Sequence, residues 1–305
     1  MSKRYNSHPA IASLAFASVA LVTAGVVNAS GFALVEQSVK QVGSAISGGA
    51  ASAEDASTIF FNPAGMTRLQ GDELTLGAHD IIPSAKYSGD ATTAFGTPIS
   101  GGNGGDAGGG VPVPALFYAH ELDNQLMLGL GISAPFGLKT EYDDGWEGRY
   151  HATKSEVKTV NINPSIAYKV NEQLSLGAGI NYMRASATLS NAVDYSTACI
   201  GGALDAGAPD VATAISACSP YGLATPGNAA TDGSVTVKGN DWAYGYNLGL
   251  LYELNPETRI GVAYRSSIKQ KLTGTADFTA PNATADAVLG AVLADTGATA
   301  KVTLP

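Results

Sequence analysis

The chain has 305 residues, of which 14% are charged and 37 are glycine, and its net charge is −9. Soluble domains carry roughly 25% charged residues and ~7% glycine, so an ordinary soluble globule fits poorly, and the acidic balance argues against nucleic acid as a partner. After residue 30 no apolar run approaches the ~20 residues that a spanning helix requires, which leaves a membrane β-barrel as the class that fits.

Residues 1–29 read as a secretion signal. Lys3 and Arg4 form a basic start, residues 11–27 are apolar, and Val27-Asn28-Ala29 is a small-x-small cleavage pattern. Export makes disulfides permissible. Residues 30–72 follow, centred on Asn62-Pro63-Ala64-Gly65. This stretch is too apolar for a linker and too rich in glycine, alanine and serine for a self-sufficient domain. It is expected to pack inside the rest of the chain.

The first strand is expected at residues 72–87, followed by a flexible glycine-rich loop at 88–110. A second strand at 113–122 turns at Asp123-Asn124 into a third at 125–134. There Leu126, Leu128, Leu130 and Ile132 alternate with Met127, Gly129, Gly131 and Ser133, a period of two. The fourth strand, 155–170, turns at Asn171-Glu172 into a fifth that begins at Leu174. The sixth, 242–252, turns at Asn255-Pro256-Glu257 into a seventh, 260–265.

Two regularities stand out. Apolar residues alternate with small or polar ones, with aromatics near strand ends. Turns near 123, 171 and 256 are short, whereas loops at 88–110, 135–154, 191–240 and 275–300 are long. Both features describe lipid-facing walls around a polar lumen, with short turns on one side of a membrane and long loops on the other. A soluble sandwich would also alternate, but it requires neither aromatic ends nor one-sided loop lengths.

Within the long loops, residues 203–217 are expected to form a helix bearing Leu204, Val211 and Ile215. Residues 284–294 are expected to form another, bearing Val288, Leu289, Val292 and Leu293. Apolar helices outside a barrel must pack together or bind something. They read either as a lid or as a docking groove in which Val211, Ile215, Val288 and Val292 meet ligand. Cys199 and Cys218 form an even pair in an exported chain and are expected to be bridged. The four histidines are scattered, and the sequence shows no nucleophile–base pattern, phosphate loop or metal-ligand cluster. No enzymatic activity, cofactor or metal is expected.

Several motifs, in order, carry a resemblance. They are Gly31-Phe32, residues 53–58 (Ala-Glu-Asp-Ala-Ser-Thr), Asn62-Pro63-Ala64-Gly65, residues 134–138, residues 145–150 (Gly-Trp-Glu-Gly-Arg-Tyr), Tyr252-Glu253-Leu254 and Ala263-Tyr264-Arg265-Ser266. Over nearly the whole mature chain the sequence resembles the FadL-type outer-membrane long-chain fatty acid transporters, a family that also includes aromatic-hydrocarbon channels. The resemblance implies a fourteen-stranded transmembrane antiparallel β-barrel, of which about seven strands are expected here in residues 73–305. It makes residues 30–72 an N-terminal hatch plugging the lumen, with Gly31, Phe32, Asn62, Pro63, Ala64 and Gly65 in it. It also implies an inward kink of strand three that opens a lateral portal, here at Ser133, Pro135, Phe136 and Gly137.

The residues themselves support a break at that place, because Pro135 removes a ladder donor and Gly137 a side chain. Pro135 ending the strand at the membrane edge is the other reading. The basic residues that meet the ligand carboxylate in the family do not map cleanly. By parity Arg265, Lys269 and Lys271 face the lumen; they are candidates for that role or ordinary lumen charges. The family's chains carry further strands, and this sequence stops as an eighth would begin, so a partial sequence is expected.

The resulting expectation is passive uptake of hydrophobic compounds, fatty acids foremost, across the Gram-negative outer membrane, with hatch movement and lateral release. A hydrocarbon channel of the same family and a non-transport surface adhesin are the alternatives. Expected surroundings are outer-membrane lipid and lipopolysaccharide, around a monomer.

Overall fold

The computed structural model describes residues 33–290 and 296–304. The expected secretion signal, Gly31, Phe32 and Val292 lie outside these residues. Among the described residues, no helix is long and apolar enough to cross a membrane.

The wall is a single antiparallel sheet. Its segments are β1 (Glu73–Ile81), β2 (Val111–Glu121), β3 (Leu126–Ser133), β4 (Gly137–Glu141), β5 (Lys154–Lys169), β6 (Leu174–Asp194), β7 (Asp232–Asn255), β8 (Thr258–Arg265), β9 (Ile268–Thr279) and β10 (Thr296–Leu304). The strand order is β1-β2-β3-β5-β6-β7-β9-β10, with β4 also on β5 and β8 also on β7. β3 and β4 are thus two halves of one wall strand, as are β8 and β9. The ten segments make eight strand lines, one more than expected. β10 supplies the eighth, running from Thr296↔Ala276 to Leu304↔Ile268 against β9. β1 and β10 are the two ends of the described sheet.

Alternation sets which side chains face which way. On β6, Leu176, Ile180 and Tyr182 point outward, whereas Ser175, Asn181, Met183 and Ala185 are buried on the inner face. Register carries the pattern across the wall, with Ile132↔Ile162↔Tyr182↔Tyr244 forming one outward row. Leu128, Ile166, Leu176, Leu248 and Val262 lie exposed on the same face. That apolar band suits lipid.

Several strands are longer than expected and the later loops shorter, whereas the first strand is shorter. β1 stops at Ile81, before Pro83, which cannot donate to a ladder. β4 occupies residues 137–141 within the expected 135–154 loop. β6 runs to Asp194 and β7 begins at Asp232, which narrows the third loop to 195–231. β9 extends to Thr279 before the fourth. After the short helices α1 (Val39–Gly43), α2 (Gly49–Ser52) and α3 (Thr58–Phe61) of the N-terminal segment, the expected single helix at 203–217 is two, α4 (Tyr195–Asp205) and α5 (Val211–Cys218), and α6 spans Ala283–Leu289. Gly207 takes φ 104° between α4 and α5, a left-handed backbone that ends a helix. Asp210 then caps α5 through Thr213 N–H at 2.8 Å.

These helices bury a cluster of their own, with Tyr195, Ile200, Ala214, Leu223, Ala285 and Leu289 at its centre. Cys199 and Cys218 are joined by a disulfide inside it.

The main core lies elsewhere, between the wall and the N-terminal segment. Ile59 and Met66 pack against Ala115, Phe117, Ala119, Met127 and Ala167 from β2, β3 and β5. Few side chains of residues 33–72 can be buried against one another. The segment folds as short turns that use the inner wall as their second layer.

Candidate functional site

The N-terminal segment is docked by backbone and amide chemistry. Asn62 is fully buried. Its side chain accepts from Ala64 N–H at 3.1 Å, capping the 3₁₀ turn Pro63–Arg68. Its Nδ2 donates to Ala50 O at 2.6 Å and to Leu250 O of β7 at 3.0 Å. The amide therefore ties two turns of the segment to the wall. Pro63 sits where a turn's first N–H would be unsatisfied anyway. Asp55 accepts from Ser57 N–H at 2.9 Å and from the Ser57 hydroxyl.

The wall makes room for this turn with glycine. A Cβ at Gly177 would lie 2.8 Å from Ala64 Cα, and one at Gly249 would lie 3.0 Å from Ala64 N–H nitrogen and from Pro63 Cδ, overlapping Asn62 Oδ1 as well. Only glycine admits so close an approach of backbone to backbone. Arg68 and Glu253 add an ion pair at 2.5 Å.

The third wall strand is interrupted. The β3–β5 ladder ends at Ser133↔Asn161, and the β4–β5 ladder resumes at Gly137↔Lys158. Three residues, Ala134, Pro135 and Phe136, oppose two on β5, so the strand carries a bulge. Phe136 swings inward and is 5% exposed. Its N–H donates to Thr159 Oγ1 at 3.0 Å, and Thr159 Oγ1 donates to Phe136 O at 2.7 Å. The N-terminal segment fills the break from inside. Leu34 N–H donates to Pro135 O at 2.8 Å, Gln37 Nε2 to Ala134 O at 3.2 Å, and Ala33 bridges Phe136. A Cβ on Gly137 would meet Leu34 Cδ1 at 3.3 Å.

The three basic candidates do not converge. Arg265 faces the lumen. It donates to Asn181 Oδ1 at 2.9 Å and to Phe60 O at 2.7 Å, with its guanidinium over the Phe60 ring. It has no carboxylate partner among the described residues. Lys269 and Lys271 are exposed, alternating with buried Ile268, Gln270 and Leu272, so the expectation that they face the lumen is corrected. The β7 ladder stops at Asn247↔Arg265 and resumes at Asn240↔Thr273. Seven residues oppose six across that interval, and one extra residue moves every later side chain to the other face.

Around Arg265 the inner wall is polar. Asn161 Nδ2 donates to Asn181 Oδ1, and Asn163 and Asn181 both donate to Asn247 Oδ1, at 2.9–3.1 Å. Asn161 Oδ1, Asn163 Oδ1, Ser165 Oγ and Gln270 Oε1 are buried without a partner among the described residues.

At the long-loop end, Arg149 and Asp232 form a buried ion pair with Nε–Oδ2 2.5 Å. Arg149 also donates to Ser100 O, Trp146 O and Gly227 O. One guanidinium thus gathers three loops, and no periodicity in the sequence announces it. Tyr150 donates to Asp232 Oδ1 at 2.8 Å. Burial first, and that carboxylate second, push the phenol pKa well above its ordinary value.

Beside this clamp lies a cavity of about 450 Å³, lined by residues including Ala91, Ile99, Tyr150, Ala192, Val193 and Ala198. The expected docking residues are not among its lining. Ile215 and Val288 pack against the helix cluster, and Val211 is exposed.

A wall of antiparallel strands with an outward apolar band, a polar inner face and an N-terminal segment packed against it defines a transmembrane β-barrel protein of the Gram-negative outer membrane. Residues 20–305 match the family described as Outer membrane protein transport protein (OMPP1/FadL/TodX), and the chain belongs to it. It is 35% identical over 275 residues to a putative outer membrane protein of Neisseria meningitidis, covering 90% of this chain and 57% of that one. It is 31% identical over 247 residues to the long-chain fatty acid transport protein of Escherichia coli K12, covering 80% and 53%. The fold is shared with the crystal structure of a Pseudomonas aeruginosa FadL homologue, at TM-score 0.72 and 24% identity, covering 90% of this chain and 64% of that one. The chain spans about half the length of the curated relatives it matches.

Proposed function

We propose that this chain is the plug-bearing part of a passive uptake channel for hydrophobic compounds, with long-chain fatty acids as the favoured class. The observation that carries the proposal is the N-terminal segment seated in the β3–β4 break through Leu34 N–H on Pro135 O. A break in a barrel wall leaves backbone groups that must be satisfied at membrane depth. Here a separable segment satisfies them, so moving the segment opens the wall. Ligand enters at the long loops, whose apolar cavity captures it at about 25 cal/mol per Å² buried. It passes the hatch turn at Asn62–Gly65 and leaves sideways at Pro135–Gly137, because an apolar chain has no reason to enter water.

Arg265 favours an acid over a plain hydrocarbon. A half-buried guanidinium with only neutral partners among the described residues is a ready seat for a carboxylate. The Escherichia coli relative, a long-chain fatty acid transport protein, agrees with that choice.

Gly137→Arg tests the route. Its side chain starts against Leu34 and fills the break, so uptake of a labelled fatty acid by cells is expected to fall at least about ten-fold. The heat-modifiable gel mobility of a folded barrel is expected to persist. Normal uptake by folded variant would overturn lateral release at this break.

A further inference from the structure

The wall has a second break level with the first. The β3–β4 break lies against Thr159 and Val160 of β5, which pair with Ala185 and Arg184 of β6 and, through them, with Asp241 and Trp242 of β7. Below a last backbone bond from Ser266 N–H to Tyr246 O at 2.9 Å, the interval between β7 and the β8–β9 line, residues 241–245 against 267–272, contains that same row. Both breaks therefore stand at one height, with β5, β6 and β7 between them.

The second break is finished as the first is. Side chains finish its ends, with Tyr246 N–H on Ser266 Oγ at 2.9 Å beside the last backbone bond and Lys271 N–H on Asp241 Oδ2 at 2.6 Å. Like Phe136, Ile268 turns inward, and it is 2% exposed. A Cβ on Gly245 would sit 2.6 Å from Ile268 Cγ1, so glycine at 245 is what lets Ile268 lie across the inner side. Phe136, Met183, Ile268 and Leu304 form one buried cluster, with Ala243 against it. On the outer face Trp242, Tyr244, Tyr246 and Tyr264 are exposed around the interval, and Trp242 and Tyr244 stack on Tyr182.

An interfacial aromatic girdle accounts for the outer rings. It does not call for a lapse in the ladder spanning roughly 20 Å at ~3.3 Å per residue. Unpaired backbone at membrane depth is tolerated where it is buried in protein or lines a water-filled cavity.

We propose that the β8–β9 break is a second lateral opening for acyl or aromatic compounds, and that Phe136, Met183 and Ile268 form one apolar plug closing both openings. The row of the sheet makes Met183 the common seat, with Phe136 on one side and Ile268 on the other. This inference rests on the lateral-release reading of the first break, and the test separates the two.

A benzophenone amino acid would be placed at Ile268, at Phe136 and, as control, at Ala185. Ala185 faces inward on the same row, where the ladder is intact on both sides. Full-length protein in outer membranes, checked for heat-modifiable mobility, is irradiated, and covalent adducts with alkyne-labelled phospholipid are counted. Adducts at Ile268 several-fold above Ala185 are expected. Adducts at Phe136 but only the Ala185 level at Ile268 would overturn the second opening and leave the first. The Ala185 level at both would overturn both. Met183→Ala is expected to raise adducts at both sites about equally; a rise at one alone would overturn the shared plug.

Discussion

Arg265 holds Phe60 in two ways: its Nη2 donates to the Phe60 carbonyl at 2.7 Å, and its guanidinium carbon lies 4.5 Å from the centre of the Phe60 ring. One wall side chain thus holds the N-terminal segment two residues before Asn62. On the proposed uptake route, a ligand carboxylate taking this guanidinium would compete with the Phe60 carbonyl, so head-group binding and hatch release would share one group.

Arg265→Gln removes the charge and keeps a donor. A hydrogen bond to a charged group contributes about 1.5–3 kcal/mol, so fatty acid uptake is expected to fall roughly ten- to hundred-fold. Uptake of an uncharged hydrocarbon of similar size is expected to change little. Lysine at this position should restore part of the loss, since it keeps the charge but lacks the fork. Equal loss for acid and hydrocarbon would remove Arg265 from head-group recognition.

Gly249→Val forces the Pro63–Ala64 turn off the wall. The expected outcome is a folded barrel with a displaced hatch, seen as several-fold greater ion conductance in planar bilayers and faster proteolysis within residues 44–57. Gly43→Ala is the matched control, because a Cβ there meets nothing within 4 Å. Unchanged conductance in Gly249→Val would mean the hatch does not occlude the lumen.

Arg149→Ala leaves Asp232 buried without its partner. Breaking such a pair costs about 3–5 kcal/mol, here confined to the long-loop end. Loops near Ser100, Trp146 and Gly227 should become protease-sensitive while the apolar band stays folded. Arg149→Lys should not rescue, since one ammonium cannot reach Asp232 and three carbonyls together.

The Cys199–Cys218 bridge closes 19 residues of separation. A loop of that size contributes about 3 kcal/mol in the chain-entropy account. The double variant Cys199→Ser, Cys218→Ser should loosen α4 and α5 first, seen as rapid amide exchange over 195–218. β5 to β7 should keep their protection, because their core is separate.

Asp72 accepts from Tyr118 and meets His120 Nδ1 at 2.6 Å. The His120 bond first, and the Tyr118 bond second, hold its carboxyl below the ordinary 3.8. A lowered folded pKa means the contribution is present above 3.8 and lost as pH falls through the lowered value. The melting difference between wild type and Asp72→Asn should therefore exist at neutral pH and vanish in strong acid. A difference that persists in strong acid would assign the effect to shape rather than charge.

The sequence by itself determined the class and most of the wall. Its period of two over 126–133 and 174–182, its short Asn-containing turns and its long loops are local features. Local features survive without knowledge of neighbours. Asn62-Pro63-Ala64-Gly65 was legible as a turn needing a host for the same reason.

Only the tertiary structure decided which carbonyl Asn62 reaches, Leu250, 188 residues away, and which loops Arg149 gathers. It also decided the fate of Lys269 and Lys271. Parity counting assumes an unbroken ladder, and the extra residue after Arg265 is visible only against β7. Pro135 announces its break because proline lacks a donor. Ser266 and Ser267 announce nothing, since serine is acceptable in a strand and the lapse there exists only in the pairing.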